Sequence, residues 1–196
     1  MSIRLFLAID LPAEARVRVV AARDQLRRTL REAGMDDGFR WVAPENLHLT
    51  LRFLGDVPDD AATLVKAAMR KPLERSTVRI TLGALGVFPP RGRPRVLHVQ
   101  VEEGAPELSA LRDALDARLS PLCRWERETR PFAPHLTLGR GRDRAAVDPD
   151  AFRRVREAAP WPAVSFDASR VTLFSSRTLS TGPEYTAEAE AALRSS

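Results

Sequence analysis

Apolar residues dominate Ile3 to Ile9, a run whose length and composition predict a strand. Asp10, Pro12 and Glu14 follow as helix-start chemistry, with Asp10 as N-cap and Pro12 in the first turn. Val17, Val20, Ala21, Leu26 and Leu30 then recur at helical spacing as far as Gly34, a C-terminal stop. The segment "DDGFRWVAPEN" reads as a loop with a short extended piece, and Leu47 to Leu54 as a strand. A second helix is predicted from Pro58 to Leu73 and a third from Ala105 to Leu119. Between them, "STVRITLGALGVF" and "RVLHVQVE" read as strands joined by the turn "PPRGRPR", a hairpin, with Gly83 and Gly86 marking bulges or a bend. His135 to Leu138 is a short strand, "DPDAFRRVREAA" a helix, and "AVSFDA", "RVTLFSS" and "EYTAEAEAAL" strand-like runs. Helices alternate with hairpin-like strand pairs, which argues for an α+β fold with mixed or antiparallel sheets. No GxGxxG follows the first strand and no GxxxxGK[ST] occurs, so a dinucleotide or P-loop site is unsupported.

One phrase occurs twice. His-Leu-Thr-Leu begins at His48 and again at His135, nearly half the chain later, and these are two of only three histidines. In a strand, residues two apart share a face. His48 and Thr50 therefore point one way, Leu49 and Leu51 the other, and simple alternation keeps Arg52 on the polar face. In the second copy His135 and Thr137 share a face, and alternation puts Gly139 and Gly141 there too, leaving open space. Two imidazoles flanking one phosphodiester suit metal-free hydrolysis: a neutral ring takes a proton from water, and an imidazolium gives one to the departing oxygen. The threonine hydroxyls suit non-bridging phosphate oxygens, where negative charge builds. The letters do not say which ring is the acid. His98, alone in "VLHVQV", reads as a hydrogen-bonded structural residue. Three histidines without HExxH spacing or cysteine clusters give zinc little support, and no GxSxG elbow points to a serine hydrolase.

Composition adds less. With 196 residues, 44% hydrophobic and 29% charged, the chain is an ordinary globular protein, expected to form one domain of two intimately packed lobes over 1–196. The net charge of +5 comes from basic residues of which only Lys66 and Lys71 are lysine. Arginine forks suit phosphate, so an anionic partner such as RNA fits, but a GC-rich genome inflates arginine equally well. The apolar opening is too short to span a membrane and lacks a signal cleavage site. The single Cys123 agrees with a reducing, cytoplasmic setting as a buried, inert thiol. Phe39, Trp41 and Phe88 are candidates either for stacking on a base or for the core. Arg91, Arg93 and Arg95 of the hairpin turn either steer RNA or are simply solvated.

The two H-x-T motifs, with "RLFLAIDLP", "WVAPENLHLTLRFLGDV", "RPFAPHLTLGR" and "LFSSRTLSTGPEYTAEA" around them, resemble the two-histidine (2H) phosphoesterases. More narrowly, they are similar to the RNA 2′,3′-cyclic phosphodiesterases, also called 2′-5′ RNA ligases or LigT-like proteins. The resemblance runs from about Arg4 to about Ala189, nearly the whole chain. It implies a bilobal α+β fold, two antiparallel sheets with outer helices and a central cleft carrying both motifs. It implies opening of a 2′,3′-cyclic phosphate at an RNA or oligonucleotide end to a 2′-phosphate, without cofactor or metal. His48 would then be the proton donor and His135 the proton acceptor, with Thr50, Thr137 and Arg130 on the phosphate. Arg52 is a further candidate for substrate contact, on strand alternation alone. The alternatives are 2′-5′ end joining by the same histidines and an RNA-end binding module without chemistry. No membrane and no obligate protein partner is expected.

Overall fold

A computed structural model describes residues 1–35, 38–125, 131–142, 149–158, 161–180 and 182–194. In chain order the elements are β1 (Ser2–Asp10), α1 (Ala13–Glu32), β2 (Phe39–Trp41), β3 (His48–Pro58), α2 (Asp59–Met69) and β4 (Leu73–Ser76). There follow β5 (Val78–Phe88), β6 (Val96–Glu103), α3 (Ala105–Leu119), β7 (His135–Gly141), α4 (Pro149–Ala158), β8 (Val164–Ala168), β9 (Arg170–Leu179) and β10 (Gly182–Arg194). Each strand and helix expected from patterning is present, but α2 stops at Met69, before Pro72, and Leu73, expected as its last residue, opens a strand. The additional strand is β4, which pairs parallel with β10 and whose Leu73 alone is buried. The start of α1 differs from expectation. Pro12 occupies the N-cap, while the Asp10 carboxylate accepts from the Leu11 N–H at 3.1 Å and pairs with Arg16 at 2.5 Å.

Two separate antiparallel sheets were expected; the described strands instead join into one ten-stranded sheet, ordered β4-β10-β9-β1-β3-β7-β6-β5-β8, with β2 beside β7. The central seam is thin. β3 and β7 run antiparallel and register at one pair, Leu49 opposite Leu136. Both leucines are fully buried, worth about 1.5–3 kcal/mol each by area.

One face of the sheet carries the core. Leu5, Leu7 and Ile9 of β1 pack in a single cluster with residues of all four helices, whereas Phe6 and Ala8 lie outside that cluster, on the other face. That second face holds the histidines.

Candidate active site

The chain is pinned as it enters β3. The Arg16 guanidinium of α1 donates to the carbonyls of Pro44 and Leu47, and the Asn46 side chain donates to the Pro183 carbonyl at 2.9 Å. With Asn46 so held, its own carbonyl accepts a hydrogen bond from His48 Nδ1 at 2.8 Å. His135 repeats the device: its Nδ1 donates to the Ala133 carbonyl, also two residues back, at 2.7 Å. A carbonyl can only accept, so in each neutral ring the proton sits on Nδ1 and Nε2 is left for chemistry. His48 Nε2 lies 3.1 Å from the Thr50 hydroxyl, which can donate to the neutral ring and accept from the imidazolium.

The repeated phrase contains a β-bulge in both copies. Along β1, Ala8 pairs with Thr50 and Leu7 with Arg52, so Leu51 has no partner. Along β6, His98 pairs with Thr137 and Leu97 with Gly139, so Leu138 has none; its carbonyl accepts from the Val42 N–H at 2.8 Å. An extra residue reverses the side chains that follow it, in β3 as far as a second bulge at Leu54. Arg52 is therefore opposite Leu7, on the helix side, where its guanidinium makes a two-pronged ion pair with Asp116 of α3. Its expected place on the polar face beside His48 is taken by Phe53, which pairs with Phe6 and is 57% exposed.

The second strand follows suit. Gly139 turns to the helix side against Phe39, and Arg140 takes the site face. The open space expected over Gly139 and Gly141 is not there: a Cβ on Gly139 would meet the Arg40 carbonyl at 3.3 Å, and one on Gly141 would strike that of Pro94 at 2.4 Å. The glycines permit close strand approach, not substrate entry.

Around His48, Phe6 and Tyr185 close in with ring centroids at 5.0 and 5.4 Å, and Phe174 at 6.2 Å. Burial pushes the His48 imidazolium below its usual range. The Asn46 carbonyl and the Asp10 carboxylate oppose that shift, and the charges of Arg140 and Arg16 add to it. Burial likewise raises the Tyr185 phenol, against a counteracting pull from Arg140.

Around His135 the neighbours are Phe88, edge-on at 5.2 Å, and His98, edge-on at 5.0 Å. Sequence reasoning set His98 aside as structural. It is 3% exposed and stacked on Phe88 at 4.2 Å, yet it also abuts the second motif histidine. Its Nδ1 is buried and makes no hydrogen bond of good geometry, with only the Val96 backbone near enough to favour the charged ring. Burial, with the charge of His135, lowers its pKa to about 4, so it is neutral at ordinary pH. The signal in the sequence was Gly86, its cross-strand partner: a Cβ there would fall 2.4 Å from His98 Nε2.

Of the remaining candidates, Thr50 and Thr137 are half-buried beside their histidines, and Arg130 lies outside the described residues. Phe39 is core and Trp41 packs against it, while Phe88 is 37% exposed. Among the described residues no three His, Cys, Asp or Glu side chains converge as a metal site, and no helix is long and apolar enough to cross a membrane. Cys123 is buried, which raises its thiol pKa.

Two histidines, each with a threonine, thus lie on the face opposite the core, on either side of the Leu49–Leu136 pair whose side chains are buried. The family model of the 2′-5′ RNA ligase superfamily matches residues 12–178. The chain belongs to that superfamily. Within the superfamily, an RNA 2′,3′-cyclic phosphodiesterase of Methanothermobacter thermautotrophicus is 34% identical over 188 residues, covering 95% of this chain and 96% of that one. One of Aquifex aeolicus is 33% identical over 153 residues, 75% and 78% of the two chains. The crystal structure of Escherichia coli LigT complexed with ATP superposes with a TM-score of 0.73 at 27% identity, over 98% of this chain and 99% of that one.

Proposed function

We propose that this superfamily member is an RNA 2′,3′-cyclic phosphodiesterase, opening cyclic phosphate ends to 2′-phosphomonoesters. The observation that carries the reading is the matched pair of histidines, each fixed through Nδ1 by the carbonyl two residues back and each presenting Nε2. The two curated relatives bear that activity in their names. The halves of the sheet on either side of the β3–β7 seam act as two lobes, and the phosphate rests over Leu49 and Leu136 between them.

In the proposed reaction His48, as imidazolium, protonates the departing 3′ oxygen, and neutral His135 takes a proton from water attacking on the opposite side of phosphorus. The P–O3′ bond breaks as the new P–O bond forms, leaving the phosphate on O2′. Thr50 and Thr137 donate to the non-bridging oxygens, and Arg130 adds a positive charge. Each positioned acid or base contributes roughly 10²–10⁴-fold. The assignment of acid and base rests on the family resemblance.

The test is incubation of a short RNA bearing a 2′,3′-cyclic end with the protein in EDTA, followed by identification of the product isomer. The reading expects a 2′-phosphate. A 3′-phosphate, or no turnover, contradicts it. A longer product joined 2′-5′ from concentrated ends would favour ligation by the same residues.

A further inference from the structure

Both motif histidines are anchored at Nδ1, yet one hydrogen bond does not fix an imidazole. The torsion that turns a histidine ring about Cβ–Cγ is broad, so the direction of Nε2 depends on what stands against the ring. His48 is walled by Phe6, Phe174 and Tyr185. His135 has two aromatic neighbours, Phe88 at 5.2 Å and His98 at 5.0 Å.

Phe88, His98 and His135 form one cluster. His98 stacks on Phe88 with ring planes 16° apart, and the pair meets His135 edge-on, His98 at 63° and Phe88 at 77°. The strand register explains the contact. His98 of β6 stands directly opposite Thr137 of β7 and therefore diagonal to His135, within reach of an aromatic side chain. Phe88 is partly exposed and His98 is buried, so His98 is the firmer of the two walls.

His98 is not placed to move protons. Its Nε2 is turned over Gly86 on β5, the strand on the other side of β6 from His135, and its Nδ1 lies by the Val96 backbone. What it offers His135 is a flat ring in a fixed plane. Gly86 makes that plane available, because a Cβ there would occupy the space of the imidazole. A base must hold its nitrogen on the attacking water, and a misplacement of about 1 Å costs roughly 10²-fold in rate.

We propose that His98, stacked on Phe88, is a positioning residue for the reaction: it braces the His135 ring so that Nε2 meets the attacking water, and itself neither accepts nor donates a proton. The proposal rests on the cyclic-phosphodiesterase reading with His135 as the base.

The test measures kcat and KM for a dinucleotide with a 2′,3′-cyclic end, per folded molecule, in wild type, His98→Leu and His98→Phe. Leucine fills the space without a flat ring, and phenylalanine restores the ring without its nitrogens. His98→Leu should lower kcat roughly 10–100-fold with KM within about twofold of wild type, and His98→Phe should recover kcat to within about threefold. A side chain that only supported the fold would change the folded fraction and leave kcat alone, so an unchanged kcat in His98→Leu overturns the proposal. A loss in His98→Phe equal to that in His98→Leu also overturns it, because the nitrogens would then be what acts. If wild type opens no cyclic end, the cyclic-phosphodiesterase reading falls, and the brace is judged by nitrogen NMR of the His135 ring. Signals of one Nδ1–H tautomer in wild type and His98→Phe, but averaged signals in His98→Leu, then support the brace. The same signals in all three proteins overturn it.

Discussion

Leu51 and Leu138, the closing residues of the two repeated phrases, are each the unpaired residue of a β-bulge. Each phrase therefore sends His and Thr to one face and both leucines to the core, then reverses the strand. The residues five after each histidine, Phe53 and Arg140, return to the site face, one aromatic and the other cationic. Both flanks of the site are thus built alike and furnished differently.

The reversal makes Arg52 a structural residue. Arg52→Met should strand the part-buried Asp116 carboxylate and cost about 1–3 kcal/mol in urea unfolding, while KM for a cyclic RNA end stays unchanged. A raised KM with undiminished stability would return Arg52 to the substrate.

Gly86 keeps room for His98 and, through it, for His135. Gly86→Ala should displace the stacked imidazole, cost about 1–3 kcal/mol and slow turnover in the folded fraction. Unchanged stability and rate would show that His98 yields freely and does not support its neighbour.

His98 also carries a pH signature. Its folded pKa, about 4, lies below the ordinary 6.5, so its contribution is intact above 6.5 and is lost as pH falls toward 4. Between neutrality and about pH 4.5 this amounts to about 2–3 kcal/mol. His98→Phe, which keeps an aromatic ring without the titration, should lose less stability than wild type over that interval. Denaturant titrations at both pH values decide it, and parallel losses in the two proteins would refute the assignment.

Much of this was readable in advance. The strand and helix runs, the β5–β6 hairpin and the repeated H-x-T pattern follow from local periodicity and turn chemistry. The bulges do not, because an inserted residue depends on what the neighbouring strand pairs with, and alternation within one strand is blind to it. Arg52, Gly139 and Gly141 were misplaced for that reason alone, and Arg140 went unnoticed for the same one. His98 was undervalued because its contact with His135 is made across β6 and β7, 37 positions apart in the chain.

The depressed pKa of His48 bears on its proposed role. An acid must be protonated, so the alkaline limb of kcat/KM should fall below pH 6.5. Asp10 supports the His48 proton, hence Asp10→Asn should move that limb to still lower pH. A profile that stays level or rises from about pH 6.5 to about pH 8 would contradict His48 as the acid.

The most direct test of the paired-histidine site is the single-turnover rate of cyclic-end opening for His48→Ala and His135→Ala. Both variants should lose roughly 10²–10⁴-fold in rate while keeping the wild-type circular dichroism and melting temperature. If either folded variant retains most of the wild-type rate, the two strands do not share one acid–base site, and the account fails.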